Sequence, residues 1–410
     1  MTLAPRILVV GAGLAAAQVV SGLREAGWDG ELTVVGDEGR APYHRPPLSK
    51  GYLKGVVSAE QLDLRARDFY AGRQVALVVD ERVVDLGLHT DGSGTARCNS
   101  GRVVDYDRVV LATGASPRSL ALLDGVDGVH DLRSAKDADR LRGELRSQAR
   151  VAVLGAGFVG LEVAATARQL GCEVTVLEAG SQVLGRVVGP VVADHVSAHH
   201  RARGIEVRTG VQATAVGSTG GRVSSLELDD GTVLGVDVVV VGIGAEPRVS
   251  LAEAAGLMCA AGVVVDEGAR TSDGVTLAVG DCAVGPTPVR LESVDYATQG
   301  AAAAVASILG TPPPPPAPPW FWSDQGDLKL QIVGLWNPED ECVVRRSPDG
   351  AKLACVYYRA GRVVAAEVVD SPAEFVALRR AVAARSRLDR GAVSDPAVRL
   401  GPLVSGSIPA

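Results

Sequence analysis

Arg6-Ile-Leu-Val-Val-Gly-Ala-Gly13 opens one segment of this chain, and Arg150-Val-Ala-Val-Leu-Gly-Ala-Gly157 opens another on the same plan. Each runs on into an Ala-rich stretch with helical spacing (15–26 and 159–170), a glycine, and a second apolar run (31–35 and 173–177). An unbroken apolar run of four or five residues fits a strand buried on both faces, and such strands belong to parallel sheets covered by helices. Strand, glycine turn, helix and strand make a βαβ unit, and the chain contains it twice.

The turns also carry chemistry. Gly11, Gly13 and Ala16 in the first copy, and Gly155, Gly157 and Gly160 in the second, let the backbone approach a pyrophosphate at a helix N-terminus. A lone G-x-G-x-x-G is a weak signal; here a strand precedes it, a helix follows, and an acid ends the second strand, both times. Asp37, with Glu38 beside it, is placed for the ribose of the first dinucleotide. Glu178 is placed for that of the second, where a carboxylate accepts from a free 2′-hydroxyl and repels a 2′-phosphate. NADH is therefore expected over NADPH. The fold class expected is α/β, with two Rossmann-like dinucleotide-binding domains and a C-terminal α+β domain.

The 410 residues, 47% hydrophobic, suffice for two to four domains. A net charge of −7 argues against nucleic acid or an anionic membrane as partner. The run at Ile7–Val10 could pass for a signal-peptide core, but Gly11 and Gly13 break it and only Arg6 precedes it. No apolar stretch reaches the ~18 residues of a membrane span, and a cytoplasmic location is expected. The cysteines at 98, 172, 259, 282, 342 and 355 have neither dithiol nor metal-ligand spacing, so no metal is expected.

Val-rich strands are expected at 75–79 with 83–86, at 103–111, and at 222–228 with 236–241. Residues 312–319 form a Pro-rich, semi-rigid spacer. Beyond it, residues 320–410 read as α+β, with strands at 330–333, 341–345, 353–358 and 363–369 and a helix at 372–384.

Several segments together resemble a known family: Tyr43-His-Arg-Pro-Pro-Leu-Ser-Lys50, Leu111-Ala-Thr-Gly-Ala-Ser-Pro-Arg118, Gly155-Ala-Gly-Phe-Val-Gly-Leu-Glu162, Val279-Gly-Asp-Cys282, Glu292-Ser-Val294 and Pro319-Trp-Phe-Trp-Ser-Asp-Gln325. In this order they resemble the FAD-dependent ferredoxin reductases, the group of putidaredoxin reductase and the reductases of aromatic-ring dioxygenases. The resemblance implies an FAD domain in two pieces (1–115 and 245–311), an NAD domain between them (116–244), and an interface domain (320–410). It implies FAD at the first turn and NADH at the second.

On that resemblance, FAD is met by Gly11, Gly13, Leu14, Ala15 and Ala16 at the turn, and by Asp37, Glu38 and Arg45 after it. Ala112, Thr113 and Gly114, Gly280 and Asp281, and Glu292, Ser293 and Val294 add three further segments, with Arg133 and Trp322. Asp281 would take the ribityl chain. NADH is met by Gly155, Gly157, Phe158, Val159, Gly160, Glu162, Glu178 and Gly244. Lys50 is implied beside flavin N5 and O4, ion-paired to Glu162, since neither charge is tolerable alone in a low-dielectric site. A helix at 293–306 would aim its N-terminus at the charge that builds on the reduced flavin. Trp320–Gln325 would close the flavin off from water. Without the motif, Lys50 would read as a solvated loop lysine and the tryptophans as core.

Disulfide reductases of this general fold carry a cysteine pair early in the chain; here none precedes Cys98. The electrons are therefore expected to leave for an external one-electron carrier, by resemblance a small [2Fe-2S] ferredoxin serving a cytochrome P450 or another oxygenase. The chain itself is expected as a monomer or weak dimer. Rubredoxin, monodehydroascorbate or oxygen are alternative acceptors. A flavoprotein that senses NADH, similar to apoptosis-inducing factor, is the alternative of another class. His44, Val294, Tyr296 and Gly326 depart from the common family residues and bear on acceptor choice.

Overall fold

In the computed structural model, which describes residues 5–66, 68–285 and 290–407, both repeats fold as strand, turn, helix and strand. The first is β1 (Ile7–Val10), α1 (Leu14–Glu25) and β2 (Leu32–Val35); the second is β3 (Arg150–Leu154), α2 (Phe158–Gln169) and β4 (Glu173–Glu178). Later come α3 (Pro190–Ala202), α4 (Val294–Leu309) and β5 (Trp320–Gln325). Two compact units result: Met1–Arg45 with Ser58–Ser116 and Ala245–Pro316, and Pro46–Val57 with Pro117–Gly244 and Ala317–Ala410.

The first unit centres on a five-stranded sheet ordered Leu277–Ala278, Arg108–Leu111, β1, β2, Val75–Val78, every pair parallel. All four β1 residues are buried, as a strand covered on both faces requires. Alanines and valines of α1 share one core with Ala297, Ala301 and Ala304 of α4, small side chains letting the helices lie close. Gly310, with φ +68°, ends α4 in the left-handed conformation before the proline tract.

The second unit repeats the plan with the order Ile205–Thr209, β4, β3, Val238–Val241, Val129–His130, again parallel. It also holds an antiparallel five-stranded sheet: β5, Leu328–Gly334, Arg362–Val369, Leu353–Arg359, Glu341–Arg346. Helix Pro372–Ala383 covers one face through Phe375, Leu378 and Val382. The other face, with Leu330, Cys355 and Tyr357, joins the core beneath α2 and α3.

Three strand expectations need correction. The run 103–111 is two strands, Val103–Tyr106 and Arg108–Leu111, in different sheets. Asp107 makes the break, its carboxylate accepting the Arg6 N–H at 2.7 Å while the chain crosses over. The runs at 75–79 and 83–86 do not pair; Val83–Leu88 joins Gly94–Cys98 and Val103–Tyr106 in a separate meander. Likewise Arg222–Leu228 pairs with Ala213–Thr219 and Val233–Gly235, while Val238–Val241 lies in the parallel sheet. Adjacent Val-rich runs suggest hairpins, but here the two runs of each pair lie in different sheets.

Candidate functional site

Gly11 leaves β1 with φ +111°, and a Cβ there would lie 2.1 Å from the Ala112 carbonyl oxygen. Only glycine lets this turn rest against the end of the neighbouring strand. Gly13 then caps α1 with no side-chain bond to the helix, so the first-turn N–H groups remain open to a ligand. Ala15 and Ala16 are buried behind them, with Leu14 partly so. Gly280, at φ +74°, brings the Gly-Asp-Cys turn against this helix: a Cβ would meet that of Ala15 at 3.0 Å. Asp281 follows in that turn, and its carbonyl accepts from Arg290 at 3.1 Å.

The acids after β2 are committed to cations. Asp37 pairs with Arg82 at 2.7 Å, a partner the sequence did not suggest. Glu38 accepts from Arg45 and from the Tyr43 hydroxyl, both at 2.5 Å. At the other edge, Ala112–Gly114 is tied to Arg248: the Thr113 hydroxyl donates to its carbonyl at 2.7 Å, and the Gly114 carbonyl accepts its N–H at 2.9 Å.

At α4 the expectation of an open N-terminus changes. Ser293 is the N-cap and its hydroxyl oxygen accepts the Tyr296 N–H at 3.0 Å, with Asp295 in the first turn. Part of the donor set and of the dipole is therefore already met by the chain itself. Glu292 pairs with Arg290 at 2.7 Å, and Val294 begins the helix. Tyr296, where the family commonly has Asn, uses its hydroxyl to accept the Gly285 N–H at 3.1 Å.

The second turn repeats the first. Gly155 has φ +97°, and a Cβ would sit 2.5 Å from the Gly242 carbonyl oxygen; one on Gly160 would sit 2.2 Å from that of Gly155. Gly157 caps α2 without a side-chain bond. Phe158 packs on Phe321 with ring centres 4.4 Å apart, and Val159 is exposed. Glu178 ends β4 with its carboxylate accepting the N–H groups of Ala156 and Gly180, each at 2.7 Å. Gly244 has φ +110°, and a Cβ there would come within 3.4 Å of the Arg186 guanidinium. The Arg118 N–H bonds the Gly244 carbonyl at 3.0 Å. No spacing in the sequence marks Arg118 and Arg186 as neighbours of this turn.

Within the second unit, Lys50 follows the short helical turn Pro46–Ser49 and pairs with Glu162 of α2 at 2.6 Å. Glu162 is 5% exposed. Its carboxylate also accepts the hydroxyls of Ser49 at 2.5 Å and Ser323 at 2.7 Å. The Lys50 ammonium further donates to the Pro46 carbonyl at 3.2 Å. No spacing in the sequence marks either serine as a partner of this carboxylate. Trp322 stacks on Trp320 at 5.3 Å; Trp336 lies instead on Tyr357 at 5.0 Å, so the three tryptophans split into two groups. Arg133 precedes helix Ala135–Glu144, its N–H bonded to the Asp137 carboxylate at 3.2 Å.

The two turns fit dinucleotides on their own geometry. Each has a cradle that a Cβ would fill, a helix of twelve residues with no side-chain cap at its start, and an acid at or just past the end of the next strand. All six cysteines are unpaired. Among the described residues no helix is long and apolar enough to cross a membrane, and no group of three or more His, Cys, Asp or Glu could hold a metal.

Comparison with known proteins agrees with this geometry. The family described as pyridine nucleotide-disulphide oxidoreductase matches residues 5–301, and the reductase C-terminal family matches residues 320–404. A probable ferredoxin reductase of Castellaniella defragrans is 39% identical over 96% of this chain and 98% of its own. The putidaredoxin reductase of Pseudomonas putida is 37% identical over 98% and 97%. The crystal structure of the covalent putidaredoxin reductase–putidaredoxin complex matches with a TM-score of 0.94 at 36% identity, covering 99% of both chains.

Proposed function

We infer the function from the family: this chain belongs to the pyridine nucleotide-disulphide oxidoreductases, among the ferredoxin reductases with their own C-terminal domain. It is an NADH-dependent flavoprotein oxidoreductase that passes electrons to a small iron–sulfur protein, as in systems that feed a cytochrome P450. The observation that carries this reading is the doubled glycine turn, each opening a helix with no side-chain cap, which offers two separate pyrophosphate cradles.

FAD, when bound, supplies what the side chains lack: it accepts a hydride from NADH and releases the electrons one at a time. The α1 N–H groups behind Gly11 and Gly13 would hold its pyrophosphate. Asp37, Glu38 and Arg45 would serve the adenosine end, Asp281 the ribityl chain, and Ala112–Gly114, Glu292–Val294, Arg133 and Trp322 the remaining contacts. The turn Gly155–Gly160 with Phe158 and Val159 would hold NADH, Glu178 selecting a free 2′-hydroxyl and Gly244 leaving room beside Arg186. Lys50 is assigned to the flavin's N5–O4 edge, where its ammonium, held by Glu162, meets the charge that develops on reduction. We propose FAD pieces at 1–115 and 245–311, an NAD domain at 116–244 and an interface domain from 320. The unpaired cysteines support a cytoplasmic location.

The test is turnover of FAD-loaded protein with NADH and an oxidised two-iron ferredoxin, followed by the ferredoxin's visible bands. Reduction of the ferredoxin, with glutathione disulfide untouched, is the expected result. Reduction of the disulfide alone would contradict the reading.

A further inference from the structure

Beyond Lys50 and Glu162 lies a line of buried polar side chains that the proposed function does not use. Ser323 and Gln325 stand two apart on β5, hence on one face, and His200 lies in the last turn of α3. Their exposures are 0%, 1% and 1%, so water does not serve them. The Ser323 oxygen is 2.7 Å from Glu162 Oε1, Gln325 Nε2 is 3.2 Å from Ser323 Oγ, and His200 Nε2 is 2.8 Å from Gln325 Oε1.

Proton counting orients the whole line. A carboxylate only accepts, so the single hydroxyl proton of Ser323 points at Glu162. Ser323 can then only accept from Gln325, which fixes the amide nitrogen on that side and its oxygen towards α3. His200 must therefore carry its proton on Nε2. Its Nδ1 is buried with no partner among the described groups. Burial also pushes the His200 pKa down, with His199 and Arg203 acting in the same sense against Gln325 and Asp327, so the ring is neutral at pH 7. Every donor points towards Glu162, whose other oxygen holds Lys50 and Ser49.

We propose that Ser323, Gln325 and His200 are positioning residues, a directional hydrogen-bond chain that locks the Glu162 carboxylate and through it the Lys50 ammonium. The proposal rests on the reading that Lys50 serves the flavin. Buried polar groups need partners in any protein, and a chain that merely satisfied them would leave Lys50 unaffected when cut.

Two readouts on FAD-loaded protein separate these cases. Long-range proton–nitrogen NMR of ¹⁵N-histidine-labelled protein reports the His200 tautomer without NADH or turnover. The wild type is expected to show one Nε2–H ring. Ser323→Ala releases the Gln325 amide, and the His200 tautomer becomes mixed although the mutated residue never touches the ring; Ser323→Thr restores it. In anaerobic mixing with NADH, Ser323→Ala bleaches the flavin about ten-fold more slowly, as loss of a bond to a charged group implies; Gln325→Leu, which acts only through Ser323, slows it less, and Ser323→Thr bleaches near the wild-type rate. A wild-type Nδ1–H tautomer overturns the chain even if no variant folds. So does a tautomer indifferent to Ser323→Ala, or wild-type bleaching in that variant. Failure of NADH to bleach the wild type would instead sink the function reading, and the tautomer would still decide the chain.

Discussion

Glu178 turns its carboxylate back onto the glycine turn of its own repeat, accepting the Ala156 N–H at 2.7 Å. The first repeat cannot copy this. By strand register, Val10 faces Val35 as Leu154 faces Leu177, so the residue matching Glu178 is Gly36. A Cβ on Gly36 would lie 2.5 Å from that of Ala12, and the carboxylate moves on to Asp37 beside Arg82. The two turns are thus distinguished by where the acid sits.

Glu178→Arg removes the acceptor for the ribose and places a cation where a 2′-phosphate would lie. NADH affinity should fall about ten-fold or more, and NADPH use should rise relative to NADH. Titration of the variant with each nucleotide checks this; unchanged NADH binding would refute the ribose assignment.

The glycines should separate the two sites. Gly11→Ala forces a Cβ into the Ala112 carbonyl at 2.1 Å, and Gly155→Ala forces one into that of Gly242 at 2.5 Å. The first variant should purify without the yellow colour. The second should keep its flavin but be bleached by NADH at least about ten-fold more slowly. Absorption spectra before and after NADH distinguish them, and a colourless Gly155→Ala would reverse the assignment.

Lys50→Met leaves Glu162 charged and unpaired inside the protein, a loss of about 3–5 kcal/mol by the usual behaviour of buried pairs. Lys50→Met with Glu162→Leu should recover most of that stability in urea unfolding. Bleaching by NADH should stay slow in both, because the ammonium is gone from each. A double variant as fast as the wild type would remove Lys50 from the chemistry.

Glu367 offers a pH test away from the nucleotide turns. It is fully buried in Arg362–Val369, and its carboxylate accepts the Gly189 N–H at 2.9 Å and the Tyr357 hydroxyl at 3.0 Å. Burial pushes its pKa from 4.5 to about 7, more than those two bonds and Trp336 pull it down. The folded state therefore holds a proton between pH 4.5 and 7 that the unfolded chain has released. Stability contributed by this group falls as pH rises through that window, by roughly 3 kcal/mol, and is level above it. Glu367→Gln should abolish that decline, measured by urea midpoints from pH 5 to 8.

Much of this was legible because buried parallel strands and glycine turns are local: Ile7–Val10 and Gly155–Gly160 announce themselves within eight residues. The ion pair was readable only through the motifs around Lys50 and Glu162, 112 positions apart in the sequence. Ser323, Gln325 and His200 were not, since a serine in a strand carries no sign of the carboxylate it meets. Arg82 and Arg186 escaped for the same reason: surface-type residues gain their partners from tertiary packing. Strand partners at 75–88 and 222–241 are not legible from proximity, because neighbouring runs pass into different sheets.

Electron flow from nicotinamide to ferredoxin is followed by anaerobic stopped-flow mixing of the FAD-loaded protein with NADH and, separately, NADPH, before an oxidised two-iron ferredoxin is added. Rapid bleaching of the flavin bands by NADH, much slower bleaching by NADPH, and return of the oxidised flavin spectrum as the ferredoxin is reduced are the predicted results. A protein that takes up no FAD, or one whose flavin NADH leaves oxidised, would contradict the account.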